Sequence, residues 1–459
     1  MKRKVIFVLT LAILLNFGFA AELIYLRAEA SDTLPVHNVN TGLNYATIQA
    51  AVDAAETVNG HTVLVDAGIY SEHLVLSKSL RLLGNGSSTT TIDGGGTTAV
   101  VTVVADDVFI KGFSISNGSL GIFLDHSYNS SLLENKVTGI TDFYAVYASH
   151  SDNCRIEKNL VGPNLCAGIL VTNSLNFEVS GNYVHGNEGY GLNANASVDG
   201  LIRQNDVFNN SYDGIGLGEG CQNCTIAMNN VSGNQLYGLW LDSDSTDNLI
   251  YGNNIVRNSK QASVYLANRW DNGFEGNFWS DYTSVDADHN GIADVPLMIG
   301  DNNTDNQPLM GPMHVFSTPL GFDVDVVSDS SIAAFDYFDT NGTIRIGITD
   351  PTKPGDYGFC RMRIPHALMT EPFNAFVDGA NPLYWNYTLR DDGDNQWIYF
   401  AYQRSPHIVL IEGTPRSRGQ DLFWYLIAAA ITVFAVVVAV IVVYYRKLRK
   451  KSSQTARRV

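Results

Sequence analysis

Asp286, Asp288, Asn290, Ile292 and Asp294 stand at alternate positions and offer the oxygen donors of a calcium loop. Hard divalent cations take oxygen ligands, and alternate side-chain oxygens followed by a Gly and a main-chain carbonyl present them around one turn. Gly291 and the Ile292 carbonyl complete that order. Leu297 stands where such loops carry a bidentate acid, so Asp301 or Asp305 is the candidate for the missing oxygen. An unoccupied Asp/Asn/Gly turn is the competing reading. A second chemistry is ring stacking. Phe123, Tyr147, Trp240 and Tyr265 fall at one register of a repeat, interrupted by Leu170, Asn193 and Gly216; Tyr144, Tyr190 and Tyr237 stand directly before the same strand. A row of exposed rings is a platform for the apolar faces of sugars, unless neighbouring segments fold over and bury it. Acid–base hydrolysis needs two carboxylates within about 10 Å. The outward acids Asp125 and Asp242 are five repeats apart, roughly 24 Å at about 4.8 Å per repeat, and Asp125-His126 lies one repeat from His150. No catalytic residue is assigned. Cys221-x-x-Cys224 is a local disulfide, half a metal site, or a buried thiol beside a turn thiol. Ten scattered His without a His-x-His pair speak against copper; His314 near Met310 and Met313 is the one hint of it.

These side chains are positioned by a repeat of 23 or 24 residues. Asn135, Asn159, Asn182, Asn205, Asn229, Asn253 and Asn277 form one series. Asn164, Asn187, Asn210, Asn234 and Asn258 form a second, five residues on. A third is Asn129, Asn153, Asn176, Asp199, Asn223, Asp247 and Asp271. Between the turns lie short strands of period two, such as Gly121-Ile-Phe-Leu, Gly168-Ile-Leu-Val and Gly238-Leu-Trp-Leu. Three four-residue strands per repeat leave no room for helices. The period is too short for a propeller blade and lacks a leucine-rich frame, so it predicts a parallel β-helix whose Asn tolerate left-handed backbone and bond from coil to coil. Residues 61–282 hold about nine coils. Residues 31–60 cap them, with an amphipathic helix over Tyr45–Ala55 covering the open end.

The stretch TVLVDAGIYSEHLVLSKSLRLLGNG after that helix resembles the pectin-lyase-like superfamily. The Asn repeats ending in Asn277-Phe-Trp-Ser-Asp-Tyr282 resemble NosD-type β-helices of the carbohydrate-binding and sugar-hydrolysis repeat class, common in archaeal cell-surface proteins. The resemblance implies a right-handed parallel β-helix; it specifies activity poorly. Three functions are compatible with it: glycan binding or envelope structure, a polysaccharide lyase, hydrolase or epimerase, and a copper accessory protein.

The remaining segments give the chain its address. Lys2, Arg3 and Lys4 before an apolar run predict a signal peptide over residues 1–30. Residues 422–445 carry no charge, are flanked by Trp424, Tyr425, Tyr444 and Tyr445, and precede a basic tail over 446–459. This predicts a single transmembrane helix, an extracellular N-terminal part and a cytoplasmic C-terminus. The chain has 46 acids against 29 bases, and with both basic ends set aside the outer part is strongly acidic, which excludes nucleic acid as a simple electrostatic partner. Sequons from Asn85 to Asn386 predict a glycoprotein. Residues 283–312 close the helix with the calcium-like segment, residues 315–412 predict a small β-sandwich, and residues 413–421 a linker. The expected class is all-β: β-helix, β-sandwich and one C-terminal transmembrane helix.

Overall fold

The computed structural model describes residues 34–349 and 357–415. It divides into two compact units, one formed by the chain up to Leu201 with Asn205–Cys221, the other by Ile202–Gln204 with the chain from Gln222 on.

In the first unit every coil contributes one strand to each of three parallel sheets. Sheet I runs through Arg81–Gly84, Phe109–Lys111, Ser131–Leu133, Arg155–Glu157 and Glu178–Ser180. Sheet II runs through Thr90–Asp93, Ser114–Ser116, Lys136–Thr138, Leu160–Val161, Tyr183–His185 and Asp206–Phe208. Sheet III runs through Leu120–Asp125, Tyr144–Ser149, Ala167–Thr172, Leu192–Asn195 and Ile215–Gly218. Alternation puts every second side chain inside, and parallel register stacks like on like. Ile122, Val146, Ile169, Leu192 and Ile215 form one buried column, and Ile115, Val137, Val161, Val184 and Val207 another.

Left-handed backbone closes the turns, and it separates two jobs that the sequence reading gave to one residue. The third Asn series is left-handed, with φ of 56° at Asn129, 57° at Asn153, 53° at Asn176 and 56° at Asp199. The first series is not: φ is positive at the residue before it, at Glu134, Lys158, Gly181 and Gln204. The reason is direction. A first-series amide points inward to reach the next coil, so the preceding residue takes the sharp bend. A further left-handed row, His126, His150, Asn173, Ala196 and Glu219, ends each strand of sheet III.

At the N-terminal end the helix is shorter than the expected Tyr45–Ala55. Val36–Asn38 pairs antiparallel with Thr62–Val65, and helix α1 is Ile48–Asp53. Thr47 accepts from the Ala50 N–H, and the Glu72 carboxylate accepts from the Ile48 and Gln49 N–H groups. Lys78 donates to the Val52 and Ala54 carbonyls. Both ends of α1 are thereby closed by side chains of the first coil with the charge signs that the helix dipole favours.

The second unit holds later coils of the same plan, including Tyr237–Leu241, Leu249–Tyr251, Asn254–Val256, Lys260–Ser263 and Phe278–Trp279. A hairpin of Leu297–Gly300 and Asn303–Asp305 follows. After it come a five-stranded and a four-stranded antiparallel sheet between Met313 and Pro415. Val324, Val326, Met362 and Phe400 of the first meet Ile344, Ile346, Phe373 and Ile411 of the second in one core, the arrangement of a small sandwich. No helix among the described residues is long and apolar enough to cross a membrane. The strand His407–Pro415 takes in the first three residues of the linker expected over 413–421; the rest of that linker, the signal peptide over 1–30, the span at 422–445 and the basic tail at 446–459 lie outside the described residues.

Candidate functional site: an aromatic, acidic face on sheet III

On the outer side of sheet III in the first unit, Phe123, Tyr147, Leu170, Asn193 and Gly216 are register partners, coil on coil. Two residues on, Asp125, Ser149, Thr172, Asn195 and Gly218 form a parallel row. Phe123 and Tyr147 are half-buried and stack with centroids 5.0 Å apart and planes within 10°. Tyr144 leans on Tyr147 at 5.5 Å. Tyr190 packs on Tyr212 at 5.3 Å, and both are exposed. Burial raises the Tyr144 hydroxyl above the usual phenol range, with Tyr147, Tyr190 and Glu219 adding to it. The Tyr190 hydroxyl is raised by burial and by Asp213.

Polar groups edge these rings. Asp125 bonds the His126 ring at 2.7 Å, His126 stacks on His150 at 4.6 Å, and His150 Nδ1 meets Ser149 Oγ at 3.0 Å. Asn195 donates to Glu219 at 3.3 Å. The amide oxygens of Asn193 and Asn195 are buried without a hydrogen-bond partner. In this unit the structure therefore gathers Phe123, Tyr147 and Tyr144, with Tyr190 beside Tyr212. Asp125 and Glu219 lie four coils apart, about 19 Å at the usual strand spacing, too far to act as an acid–base pair.

In the second unit Trp240 is half-buried, and Tyr237 lies 5.4 Å beneath the Lys260 ammonium. Tyr265 corrects the sequence reading. The register partner of Trp240 is Ser263, with Leu239 opposite Ala262, so Tyr265 is outside the row and exposed. The two-residue slip keeps the in–out alternation intact, so periodicity alone could not reveal it. The sequence reading also missed an aromatic triangle on sheet II, where Tyr183, His185 and Phe208 lie within 5.1 Å of one another. Tyr183 and His185 alternate on one strand and Phe208 pairs with His185; that pattern was legible had the outward positions of sheet II been read as those of sheet III were. Burial lowers the His185 pKa.

The first Asn series is a buried ladder. Asn135 Nδ2 donates to Asn159 Oδ1 (3.2 Å), Asn159 to Asn182 (3.0 Å) and Asn182 to Asn205 (2.9 Å). In the second unit Asn229 donates to Asn253 and Asn253 to Asn277, both at 2.9 Å. There the ladder ends on Asp305, whose carboxylate accepts from the Asn277 N–H (2.8 Å) and from Trp279 Nε1 (2.9 Å). Asp305 therefore terminates the ladder and is withdrawn from the set of candidate calcium ligands.

In the loop itself both Asp286 oxygens accept main-chain N–H groups, from Asn290 and Gly291 at 2.9 Å. Asn290 donates to Asp288 at 2.8 Å, its own oxygen accepts from the Ile292 N–H, and Asp294 accepts from the Ala287 N–H. Gly291 has φ +80°. The Asp286 pKa is raised by burial, and the neighbouring Asp288 pushes it the same way.

Among the described residues no three His, Cys, Asp or Glu side chains converge as a metal site. All five cysteines are buried thiols, and burial pushes Cys154, Cys166 and Cys360 up to about 12, far from the thiolate that soft metals take. Cys221 and Cys224 are thus both interior, where a turn thiol was one expectation. His314 is largely buried, with a lowered pKa, and stacks on Phe316. These residues do not fit a copper site.

Over 102 residues the chain is 30% identical to a cell surface glycoprotein of Methanothermus fervidus, covering 22% of this chain and 17% of that one. Over 82 residues it is 37% identical to a probable ABC transporter binding protein NosD of Pseudomonas aeruginosa, covering 16% of this chain and 19% of the other. It spans less than a fifth of the length of either relative. The crystal structure of pectate lyase Pel9A is similar over 50% of this chain and 76% of that one, with TM-score 0.40 and 15% identity. The family model described as periplasmic copper-binding protein (NosD) matches residues 61–284. That stretch is similar in sequence to the NosD family, and its coils are those of a parallel β-helix.

Proposed function

We propose that this chain is a cell-surface protein that binds glycans on the aromatic face of its β-helix and is held to the membrane by the span at 422–445. The observation that carries the binding reading is the parallel stack of Phe123 on Tyr147, half-open beside the exposed Tyr190–Tyr212 pair. Flat rings on a rigid sheet lose little entropy on binding, and their faces match the C–H faces of pyranoses. The surface reading is supported by the resemblance to a cell surface glycoprotein. The test is a glycan array with the purified chain. Tyr147→Ala should weaken binding about tenfold or more, as loss of an aromatic anchor does, while Tyr183→Ala on sheet II leaves it unchanged. Equal binding by wild type and Tyr147→Ala would remove the reading. Trp240 and Tyr237 are a second, smaller platform of the same kind.

We infer also that the Asp286–Asp294 turn takes calcium weakly, the ion drawing together Asp286, Asp288, Asn290, the Ile292 carbonyl and Asp294, whose carboxylates do not already converge. The alternating donors, the left-handed Gly291 and the proximity of Asp286 to Asp288 support this.

A further inference from the structure

Resting on the glycan reading of this face, we propose that its ligand is an uncharged, hydroxyl-rich glycan strand lying along the direction of coil stacking, and that polyuronates are excluded. Geometry gives the direction. Register positions repeat once per coil, with the rings of Phe123 and Tyr147 followed by Leu170, Asn193 and Gly216 in one row, and Asp125, Ser149, Thr172, Asn195 and Gly218 in the next. The rise of about 4.8 Å per coil is comparable to the length of one pyranose unit, so a linear glycan running up the stack from the half-open Phe123 and Tyr147 stays in step with the coils.

The charge on the face gives the ligand class. The strands Leu120–Asp125, Tyr144–Ser149, Ala167–Thr172, Leu192–Asn195 and Ile215–Gly218 contain no Lys or Arg. Neither do the segments that join directly onto them, 141–143, 164–166, 187–190 and 210–214. Acids occur in both places, with Asp125 and Glu219 at the strand ends and Asp142 and Glu188 exposed in the turns. A carboxylated polymer held here would pass Asp125, Asp142, Glu188 and Glu219 and meet no guanidinium or ammonium from these segments, which penalises it relative to an uncharged chain. The hydrogen-bonding sense agrees. The face presents acceptors, the carboxylates of Asp125 and Glu219, and beneath it the amide oxygens of Asn193 and Asn195 are closed to solvent and lack a donor. Asn193 is 7% exposed. Acceptors call for ligand O–H groups; a uronate carboxylate is another acceptor.

The experiment compares neutral hexasaccharides of glucan, mannan and galactan with hexagalacturonate, by calorimetry on the full-length purified chain at low and moderate salt. At least one neutral hexasaccharide should bind tenfold or more tighter than the uronate. Binding should weaken on shortening to a disaccharide, and Asp125→Asn with Glu219→Gln should raise uronate affinity severalfold. Uronate binding equal to or tighter than every neutral sugar, and lost in Tyr147→Ala, overturns the class assigned here and leaves the aromatic platform standing. No binding by any sugar, with wild type and Tyr147→Ala alike, overturns both.

Discussion

A single inward amide carries much of the design at the residue scale. Asn182 accepts from the Asn159 main-chain N–H and side chain, and donates to the Ile156 carbonyl and to Asn205. Removing it leaves several buried groups without partners, so Asn182→Leu should cost about 3 kcal/mol or more, read as a lower denaturation midpoint with an unchanged slope. This ladder was legible because each coil must present the same group at the same place, so the residue recurs with the period. Its terminator was not legible. Asp305 lies beyond a turn and a hairpin strand, 28 residues after Asn277, and only the fold brings it into line. Asp305 has a pH signature. Burial raises its carboxyl to about 6, and burial raises Asp325 to about 6 as well. A carboxyl whose folded pKa is above its unfolded value binds protons more readily when folded, so these groups add stability as pH falls from about 7 toward 4. The melting temperature should therefore rise between pH 7.5 and pH 5, and Asp305→Asn should flatten that rise while costing little at pH 7.5.

At the element scale, strands and turns divide the information. Strand identity was readable because inside and outside alternate, although the coil strands run from two to six residues where four per strand was expected. Register in the last coil was not, since Lys260–Ser263 is polar and a slip of two preserves the alternation that moved Tyr265 out of line. The turn at Asp286–Asp294 is an element in its own right. Arg361 of the sandwich donates to the Asn290 carbonyl at 2.9 Å, and His289 packs against Tyr384 at 4.8 Å. Calcium bound there should therefore stabilise more than the loop. Millimolar calcium should raise the melting temperature relative to chelator, and Asp288→Ala should abolish the difference; identical melting curves for wild type with and without chelator would refute calcium binding.

Within the second unit, the last coil and the sandwich are joined by a buried ion pair. Glu275 and Arg361 are each 5% exposed and 3.3 Å apart, Trp397 Nε1 donates to the same carboxylate at 2.9 Å, and Arg390 covers Phe274. Asn254 adds a two-way bond to the Met313 main chain, at 2.7 Å each way. Glu275→Ala strands a buried guanidinium and should cost about 3–5 kcal/mol, whereas Glu275→Leu with Arg361→Met should recover most of it; limited proteolysis near Met313 would report the loss. At this scale topology is testable too. Protease outside intact cells should reach residues 34–415 and spare the tail after Arg446. The β-helix was legible because a repeat states its architecture many times over, while the proposed ligand face is stated once. The amide ladder also has a direction. In both units each Asn gives its N–H to the coil that follows and lends its oxygen to the coil before. An internal coil is therefore interchangeable with its neighbours, but the last is not, since Asp305 can only receive. Gene duplication can lengthen such a protein only from the middle, and lineages that vary in coil number should share their two ends.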